Sequence, residues 1–317
     1  MLALALDRAS DGHGQIVALV GDPGVGKSRL IWEATRSART DGWLVLESGA
    51  VSHGIASSYG PAIDLLKAYC RIEARDDGTA VREKLTGRIL ALDHALAPDL
   101  PALFALLDVP VEDASWQALD PPQRRDETLA ALKRLLLRQS QGAPLLLVLE
   151  DLHWIDGETQ ALLDAMVDSL PAARLLLLVS YRPEYEHQWV RKTYYVQLRV
   201  DALPTERADE LLGALLGEDA ALQPLKHHLI FKAEGNPLFL EESARSLVEA
   251  GALVGENGAY RQARPIDAIR VPDTVQAVLS ARIDRLEPGG EATAPARGSD
   301  RQGRAVLAPA GHRRGAR

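Results

Sequence analysis

Eight consecutive residues combine the backbone freedom and the side chains that phosphate binding needs. The segment reads Gly21-Asp22-Pro23-Gly24-Val25-Gly26-Lys27-Ser28 and matches the phosphate-loop (P-loop) pattern G-x-x-x-x-G-K-[ST] at every fixed position. We expect Gly21, Gly24 and Gly26 to adopt positive φ, because without a Cβ the backbone can come close to phosphate oxygens. Lys27 would contact the β- and γ-phosphates of a nucleotide, and the Ser28 hydroxyl would bind Mg²⁺.

The flanking sequence supplies the elements that would hold this loop. Gln15–Val20 is a short apolar segment with β-branched residues, which predicts a buried strand. Ser28–Thr40 has apolar residues at helical spacing, and Arg29 in its first turn is assigned to the nucleotide site together with the loop. Strand, loop and helix in this order are the context that a P-loop requires, and they disfavour the alternative of a glycine-rich turn without a ligand.

A pair of carboxylates follows another predicted strand. Pro144–Leu149 is continuously apolar and ends in Glu150-Asp151. Nucleotide hydrolysis needs an acidic group at such a position to hold Mg²⁺ and to position water. We assign Glu150, with Ser28, to the hydrated metal, and Asp151 to the attacking water, which it would orient or deprotonate. The alternative is a solvated polar strand end without chemistry.

Five apolar segments predict a parallel sheet that is covered on both faces. They are Gln15–Val20, Trp43–Glu47, Pro144–Leu149, Arg174–Ser180 and Tyr194–Leu198. Between the second and the third, residues 50–142 form a long helical insertion, with helical spacing at 63–72, 80–92, 100–107 and 124–139. We therefore predict an α/β fold of the P-loop NTPase type, with a doubly wound five-stranded parallel sheet in residues 1–202.

Residues 203–287 are predicted to form a mainly helical lid subdomain. Helical spacing covers 206–216, 222–233, 237–250 and 274–286. A β-hairpin with an Asn-Gly turn is predicted near residues 253–261. Residues 288–317 lose both periodicities and are rich in Gly, Ala, Pro and Arg. This tail is interpreted either as disordered or as the product of a frameshift, since a shifted reading frame can encode a helical apolar pattern there.

Composition excludes several classes of protein. The 317 residues are 46% hydrophobic and 25% charged, as in an ordinary globular protein of about two domains. The net charge of −8 argues against a nucleic-acid or anionic-membrane binder. Cys70 is the only cysteine, the apolar start is too short for a signal peptide, and no apolar run approaches ~20 residues. We expect a cytoplasmic protein without membrane or direct nucleic-acid partners.

Four segments resemble one family of ATPases. Leu147–Asp156 (LVLEDLHWID) is similar to the Walker B segment of the STAND class of AAA-related signalling ATPases. The likeness is strongest to the modules attached to bacterial adenylate/guanylate cyclases, serine/threonine kinases and large LuxR-type regulators. In order, Leu177–Glu184 resembles the sensor strand, Glu234–Glu242 resembles the G-x-P segment, and Val271–Leu286 resembles the helix that leads into a winged-helix domain.

This resemblance implies a mechanism and a set of partners. Arg182 would sense the γ-phosphate, Pro237 would pack near the adenine, and the sensor strand would lie between the P-loop strand and the Walker B strand. The ligands would be ATP or ADP with Mg²⁺, and the module would be a slowly hydrolysing switch and thus a weak ATPase. The expected partners are effector or sensor domains outside this chain and, depending on the nucleotide, a second copy. The usual Val-Gly-Arg-Glu segment and the winged helix are missing, so a module shortened at both ends is expected.

Two other functions use the same loop. A small-molecule or nucleotide kinase would share the P-loop, and the helical insertion offers room for a substrate pocket, but the G-x-P segment speaks against it. A non-catalytic scaffold would bind nucleotide only for stability. Phosphate release and transfer to an acceptor distinguish the three functions.

Overall fold

The described residues divide into two compact units. The computed structural model describes residues 1–51, 58–256 and 258–263. One unit contains residues 1–20 and the described part of 28–198, and the other contains residues 21–27 and the described part of 199–299. Each unit has a hydrophobic core of its own.

Within the described residues, five strands form one sheet in the first unit. They are β1 (Gln15–Val20), β2 (Leu44–Gly49), β3 (Leu145–Glu150), β4 (Leu175–Tyr181) and β5 (Tyr195–Arg199), in the order β2-β3-β4-β1-β5. The β1–β4, β3–β4 and β2–β3 pairs are parallel, with Val17 opposite Leu178 and Leu147 opposite Leu177. The predicted α/β fold with its five-stranded parallel sheet is confirmed. The sensor strand β4 lies between β1 and β3, as the resemblance implied.

The three inner strands are buried on both faces, which made them predictable from the sequence. Every residue of β1, β3 and β4 is buried, whereas the edge strands β2 and β5 are mostly half-buried or exposed. Strands covered on both faces need apolar residues at every position, which removes the alternation of a half-exposed strand. Because β1, β3 and β4 are parallel, their carboxyl ends lie at the same edge of the sheet.

Helices precede and connect these strands. They are α1 (Leu2–Ser10), α2 (Lys27–Thr35), α3 (Gly60–Cys70), α4 (Gly78–Leu92), α5 (Leu100–Leu106), α6 (Ala114–Ala118), α7 (Pro121–Gly142) and α8 (Gly157–Val167). Helix α7 starts earlier than predicted, because Asp120 and Gln123 form a capping box around Pro121 at its first turn. In the described part of the chain, no helix combines the length and the apolar character that a membrane crossing requires.

The helix predicted at Ser28–Thr40 is wrong at its C-terminal end. Helix α2 ends at Thr35, and a short 3₁₀ turn covers Ala38–Thr40. The Ser37 hydroxyl donates to the Ala34 carbonyl, and the Thr40 hydroxyl donates to the Thr35 and Ser37 carbonyls. Such side-chain hydroxyls compete with the helical backbone for its carbonyls and end the helix.

The second unit is mainly helical. It contains α9 (Thr205–Leu216), α10 (Gln223–Ala233) and α11 (Pro237–Glu249), and the strands β6 (Leu253–Val254) and β7 (Arg261–Gln262) form a hairpin. Leu253 pairs with Gln262 and Val254 pairs with Arg261, as expected for a hairpin near residues 253–261, whereas Asn257 of the predicted Asn-Gly turn lies outside the described residues. The Ala259 amide donates to the Glu256 carbonyl. The helix predicted at 274–286, the segment Val271–Leu286 and the tail 288–317 lie outside the described residues.

Candidate functional site

The P-loop connects β1 to α2 and takes two of its conformations from glycine. Gly24 has φ +83° and Gly26 has φ +104°, values that side-chain-bearing residues rarely adopt. The expectation of positive φ at Gly21 is wrong. Gly21 is needed for space instead, because a Cβ there would lie 2.2 Å from the Val200 carbonyl oxygen. The loop thus depends on glycine at three positions for two different reasons.

The Lys27 side chain is folded back over the start of its own loop. It is 7% exposed, and its ammonium donates to the carbonyl oxygens of Gly21 (2.7 Å) and Asp22 (2.9 Å). The buried cation is therefore compensated in part by two backbone oxygens at the start of the loop. Ser28 and Arg29 follow in the first turn of α2 and are exposed, and Arg29 pairs with Glu33 at 2.6 Å.

The G-x-P segment contacts this loop within the second unit. Asn236 caps α11, with its Oδ1 accepting from the Phe239 amide at 3.2 Å, and Pro237 is the first residue of the helix. The Asn236 Nδ2 also donates to the carbonyl of Pro23 at 2.9 Å. The start of α11 is therefore held against the middle of the P-loop.

The acidic pair is placed by the end of β3. Glu150 is the last residue of the strand and is 9% exposed. Asp151 has φ +60° and ψ +45°, a left-handed conformation that is uncommon for a non-glycine residue and is often found at functional sites. Its backbone amide donates to the hydroxyl of Ser180 in the neighbouring strand β4, at 3.1 Å. Because of this turn, the two consecutive carboxylates do not follow the alternation of a regular strand.

A third carboxylate in the same segment has a structural role. Asp156 is 3% exposed and caps α8, with its Oδ1 accepting from the amides of Glu158 and Thr159. The same oxygen accepts from the Tyr59 amide at 2.8 Å, and the Thr159 hydroxyl donates to Oδ2 at 2.7 Å. Asp156 therefore ties the helical insertion to α8 and is fully used by the fold.

Arg182 follows β4 and lies beside an aromatic side chain. Its guanidinium is 5.8 Å from the centre of the Trp154 ring and 3.9 Å from the Glu184 carboxylate, and the side chain is 33% exposed. Trp154 in turn contacts the His153 ring, with 5.2 Å between the ring centres. The guanidinium thus lies beside Trp154 and Glu184 at the end of β4.

Comparison with known proteins identifies the family. A family model described as "AAA ATPase domain" matches residues 1–179, more than half of the chain. This chain belongs to that AAA ATPase family. It is a nucleotide-binding, AAA-related P-loop ATPase module.

The relatives of this ATPase module are distant. An uncharacterized protein of Rhizobium meliloti (strain 1021) is 25% identical over 233 residues, which are 73% of this chain and 22% of that protein. The chain thus spans less than a quarter of the length of that curated relative.

Solved structures resemble the ATPase module weakly. A STAND protein with a tetratricopeptide repeat sensor from Pyrococcus horikoshii has a TM-score of 0.39 and 14% identity, over 75% of this chain and 28% of that chain. The FIGL-1 AAA domain in complex with ADP has a TM-score of 0.38 and 15% identity, over 89% of this chain and 77% of that chain. The Drosophila ORC bound to DNA has a TM-score of 0.41 and 12% identity, over 90% of this chain and 59% of that chain. Scores this low carry no information on what this chain does.

The ATPase module places its predicted site residues in two groups. Ser28, Glu150, Asp151 and Arg182 belong to the first unit, and the loop residues 21–27 belong to the second unit together with Pro237. Among the described residues, no cluster of three or more His, Cys, Asp or Glu could hold a metal by itself. Mg²⁺ typically takes only one or two carboxylates from a protein and completes its shell with water and phosphate oxygens.

Sequence analysis missed two residues of the ATPase module. Ser180 orients the backbone of Asp151, and Asn236 contacts the P-loop at Pro23. An Asn directly before a Pro and an apolar helix is a helix-cap signal, which could have identified the first role of Asn236. No sequence pattern predicts the contact of Asn236 with Pro23 or the contact of Ser180 with Asp151.

An aromatic cluster follows Arg182 in the ATPase module. The Trp189 amide donates to His187 Nδ1 at 3.1 Å, and His187 Nε2 lies 2.8 Å from the Tyr181 hydroxyl. The Tyr181 hydroxyl is 2.5 Å from that of Tyr195. Burial raises the pKa of Tyr181 and lowers the pKa of His187, which the Asp164 carboxylate raises in part. The cluster therefore favours the neutral form of His187 and connects the segment after β4 to β5.

Proposed function

We propose that this chain is an ATP-binding, slowly hydrolysing switch module that regulates an effector. The observation that carries the proposal is the glycine loop between β1 and α2, with positive φ at Gly24 and Gly26 and with the Lys27 ammonium folded over it. Glycine at these positions leaves backbone amides accessible to a phosphate, and a buried ammonium beside them complements its charge. The AAA ATPase family of the chain makes a nucleotide the expected phosphate ligand.

Each of the site residues has a proposed role toward the nucleotide. Lys27 would bind the β- and γ-phosphates, and Pro237 would pack near the adenine. Ser28 and Glu150 supply the oxygen donors for Mg²⁺, which when bound neutralises phosphate charge. These residue types fit that ion, because hard cations prefer hydroxyl and carboxylate oxygens.

Asp151 is the proposed group for water. Its backbone is held by Ser180 in a left-handed turn, so its carboxylate has a fixed origin at the end of β3. It would orient the attacking water and accept a proton from it, a role that contributes about 10²- to 10⁴-fold in rate.

Slow turnover follows from the weak support for Arg182. A well-placed arginine contributes about 10³- to 10⁵-fold to phosphoryl transfer. Here the guanidinium is one-third exposed and is shared between Trp154 and Glu184. We expect a turnover well below the ~10 s⁻¹ that is typical of enzymes. A long-lived ATP state suits a switch, because a partner needs time to recognise it.

The test is a phosphate-release assay on the full chain with Mg-ATP. Asp151→Asn should remove turnover while Mg-ATP binding stays as in the wild type, and Glu150→Gln should weaken the metal-dependent part of binding. Asp126→Asn, which removes a carboxylate on the exposed start of α7, is the matched control and should change neither. Tens of turnovers per second in the wild type, or an unchanged rate in Asp151→Asn, would contradict the mechanism.

The same assay separates the other functions. Phosphate transfer to an added small molecule or nucleotide would show a kinase, and binding without any turnover would show a scaffold. The regulatory role has its own test in the coding DNA on both sides of this reading frame, which should encode an effector or sensor domain. Flanking DNA without such a domain would contradict regulation of a fused effector.

A further inference from the structure

The start of α11 donates two hydrogen bonds to the P-loop. The Asn236 Nδ2 donates to the carbonyl oxygen of Pro23 at 2.9 Å, and the Leu238 amide donates to the carbonyl oxygen of Gly24 at 3.3 Å. Both bonds lie within the second unit. Two consecutive carbonyls of the loop are therefore directed at α11.

The orientation of the Asn236 amide is determined by both of its partners. Its Oδ1 accepts from the Phe239 amide at 3.2 Å, which requires an acceptor at that place. Its Nδ2 then faces the Pro23 carbonyl, which requires a donor. The reversed amide would put a donor against a donor and an acceptor against an acceptor. One side chain thus caps the helix and binds the loop at the same time.

Holding these carbonyls fixes the direction of two amides. In a trans peptide the N–H points opposite to the C=O, and the described residues contain no cis peptide. The Pro23 carbonyl shares its peptide with the Gly24 amide, and the Gly24 carbonyl shares its peptide with the Val25 amide. Because the carbonyls face α11, the amides of Gly24 and Val25 face away from it. They are the donors that a phosphate on that side of the loop would meet.

The loop and the start of α11 approach each other closely. A Cβ on Gly24 would lie 2.7 Å from Asn236 Oδ1 and 3.0 Å from the Leu238 Cβ. On the other side, a Cβ on Gly235 would lie 2.1 Å from the Leu203 carbonyl oxygen, and the Leu203 amide donates to the Gly235 carbonyl at 2.8 Å. The loop therefore approaches α11 closely at Gly24, and a rotation of the loop peptides would break the hydrogen bonds to Asn236 and Leu238.

We propose that Asn236 is a positioning residue that sets the direction of the Gly24 and Val25 amides and couples phosphate binding at the loop to the N-terminus of α11. The inference rests on the proposed nucleotide function of this loop. It adds Asn236 to that site and a physical link to α11. A bound phosphate orders the amides of Gly24 and Val25. The carbonyls in the same peptides then bind Asn236 and Leu238 more firmly, which stabilises the first turn of α11.

Asn236→Ser separates the two roles of the side chain. Serine is a good helix cap, so α11 keeps its acceptor, but it has no amide to donate to Pro23. We expect a dissociation constant for Mg-ADP about 2- to 12-fold higher, which corresponds to the net value of one hydrogen bond. Asn236→Asp keeps the cap and the side-chain shape but replaces the donor by an acceptor, and should weaken binding at least as much.

The matched control is Asp219→Ser. Asp219 also lies in the second unit and caps a short turn through the Ala221 amide at 2.9 Å. Its replacement exchanges one cap for serine without touching the loop, so Mg-ADP affinity should stay within the error of the wild-type value. An equal loss of affinity in Asp219→Ser and Asn236→Ser would overturn the proposal, because cap exchange alone would then explain the effect.

Hydrogen exchange provides a readout that a purely structural role would not change. Mg-ADP should slow exchange at the amides of Leu238, Phe239 and Leu240 in the wild type, and should slow it less in Asn236→Ser at saturating nucleotide. If the wild type binds but Asn236→Ser shows the same affinity and the same protection, this inference is wrong and the proposed function stands. If the wild type does not bind Mg-ADP or Mg-ATP at all, the proposed function is wrong and this inference falls with it.

Discussion

In the proposed function, the P-loop would offer mainly backbone groups to the nucleotide, whereas the strand ends at residues 150–182 would offer side chains. In the loop, Gly24 and Gly26 adopt positive φ, and the Lys27 ammonium is folded onto the loop carbonyls. At the strand ends, the sheet presents Glu150 and Asp151, and the one unusual backbone conformation, at Asp151, is held by a serine of the next strand.

This difference shows how each region tolerates change. A site built from backbone groups depends on glycine residues that have no Cβ. An added methyl group therefore disturbs it even though no functional group is lost. A side-chain site on buried parallel strands depends on the presence of functional groups, so an isosteric change removes the chemistry and leaves the fold. The two regions should therefore separate in experiments that compare stability with ligand binding.

The largest effect is expected for Gly24→Ala, with Gly26→Ala as its matched control. Both residues have positive φ, which costs an alanine about 1–2 kcal/mol. A Cβ at Gly26 meets nothing within 4 Å, whereas at Gly24 it meets Asn236 and Leu238. Overpacking adds about 1–3 kcal/mol at Gly24 alone.

Urea unfolding of both variants measures this difference in the free energy of unfolding. The comparison of regions predicts that Asp151→Asn, an isosteric change at the acidic strand end, is close to the wild type in the same experiment. Equal losses in Gly24→Ala and Gly26→Ala would show that the contact with α11 does not constrain the loop.

The next effect is on binding, at Lys27. Lys27→Ala removes a charge-assisted phosphate contact, worth about 1.5–3 kcal/mol or roughly 10- to 150-fold in Mg-ATP affinity. Arg36→Ala removes the same charge shortly after α2, from an exposed cation next to Trp32, and should change affinity little because exposed charges are screened by salt. Titration calorimetry measures the Mg-ATP affinity of both variants. Wild-type affinity in Lys27→Ala would remove this residue from the nucleotide site.

The smallest effect concerns pH and the aromatic cluster after Arg182. Burial lowers the pKa of His187 below its ordinary value of 6.5, and protonation would also place a hydrogen on Nδ1 against the donating Trp189 amide. The unfolded chain therefore binds more protons than the folded chain below pH 6.5, so His187 decreases stability as the pH falls through this range.

Melting temperatures between pH 7.5 and 5 test this in the wild type and in His187→Gln. The wild type should lose more stability than the variant on acidification, and other titrating groups cancel in the difference. Parallel pH profiles would mean that His187 is protonated as easily in the folded chain as in the unfolded one.

The prediction of the strands succeeded because the determinants of a buried strand are local. Short, continuously apolar runs with β-branched residues favour strands covered on both faces, so the strand β3 and the place of Glu150 and Asp151 at its end could be predicted from neighbouring residues. The end of α2 was mispredicted, because the hydroxyls of Ser37 and Thr40 take carbonyls in competition with the helix. Periodicity of apolar residues carries no information about that competition.

The amino-acid sequence by itself determined which residues have the chemistry of the P-loop, since glycine's freedom in φ and the lysine ammonium are properties of single residues. Only the tertiary structure decided what holds that loop. The Asn236 amide that binds the Pro23 carbonyl lies 213 residues further along the chain, and the Ser180 hydroxyl that holds Asp151 lies 29 residues away. A hydrogen bond depends on distance and direction in space, and these arise only when packed strands and helices bring distant residues together.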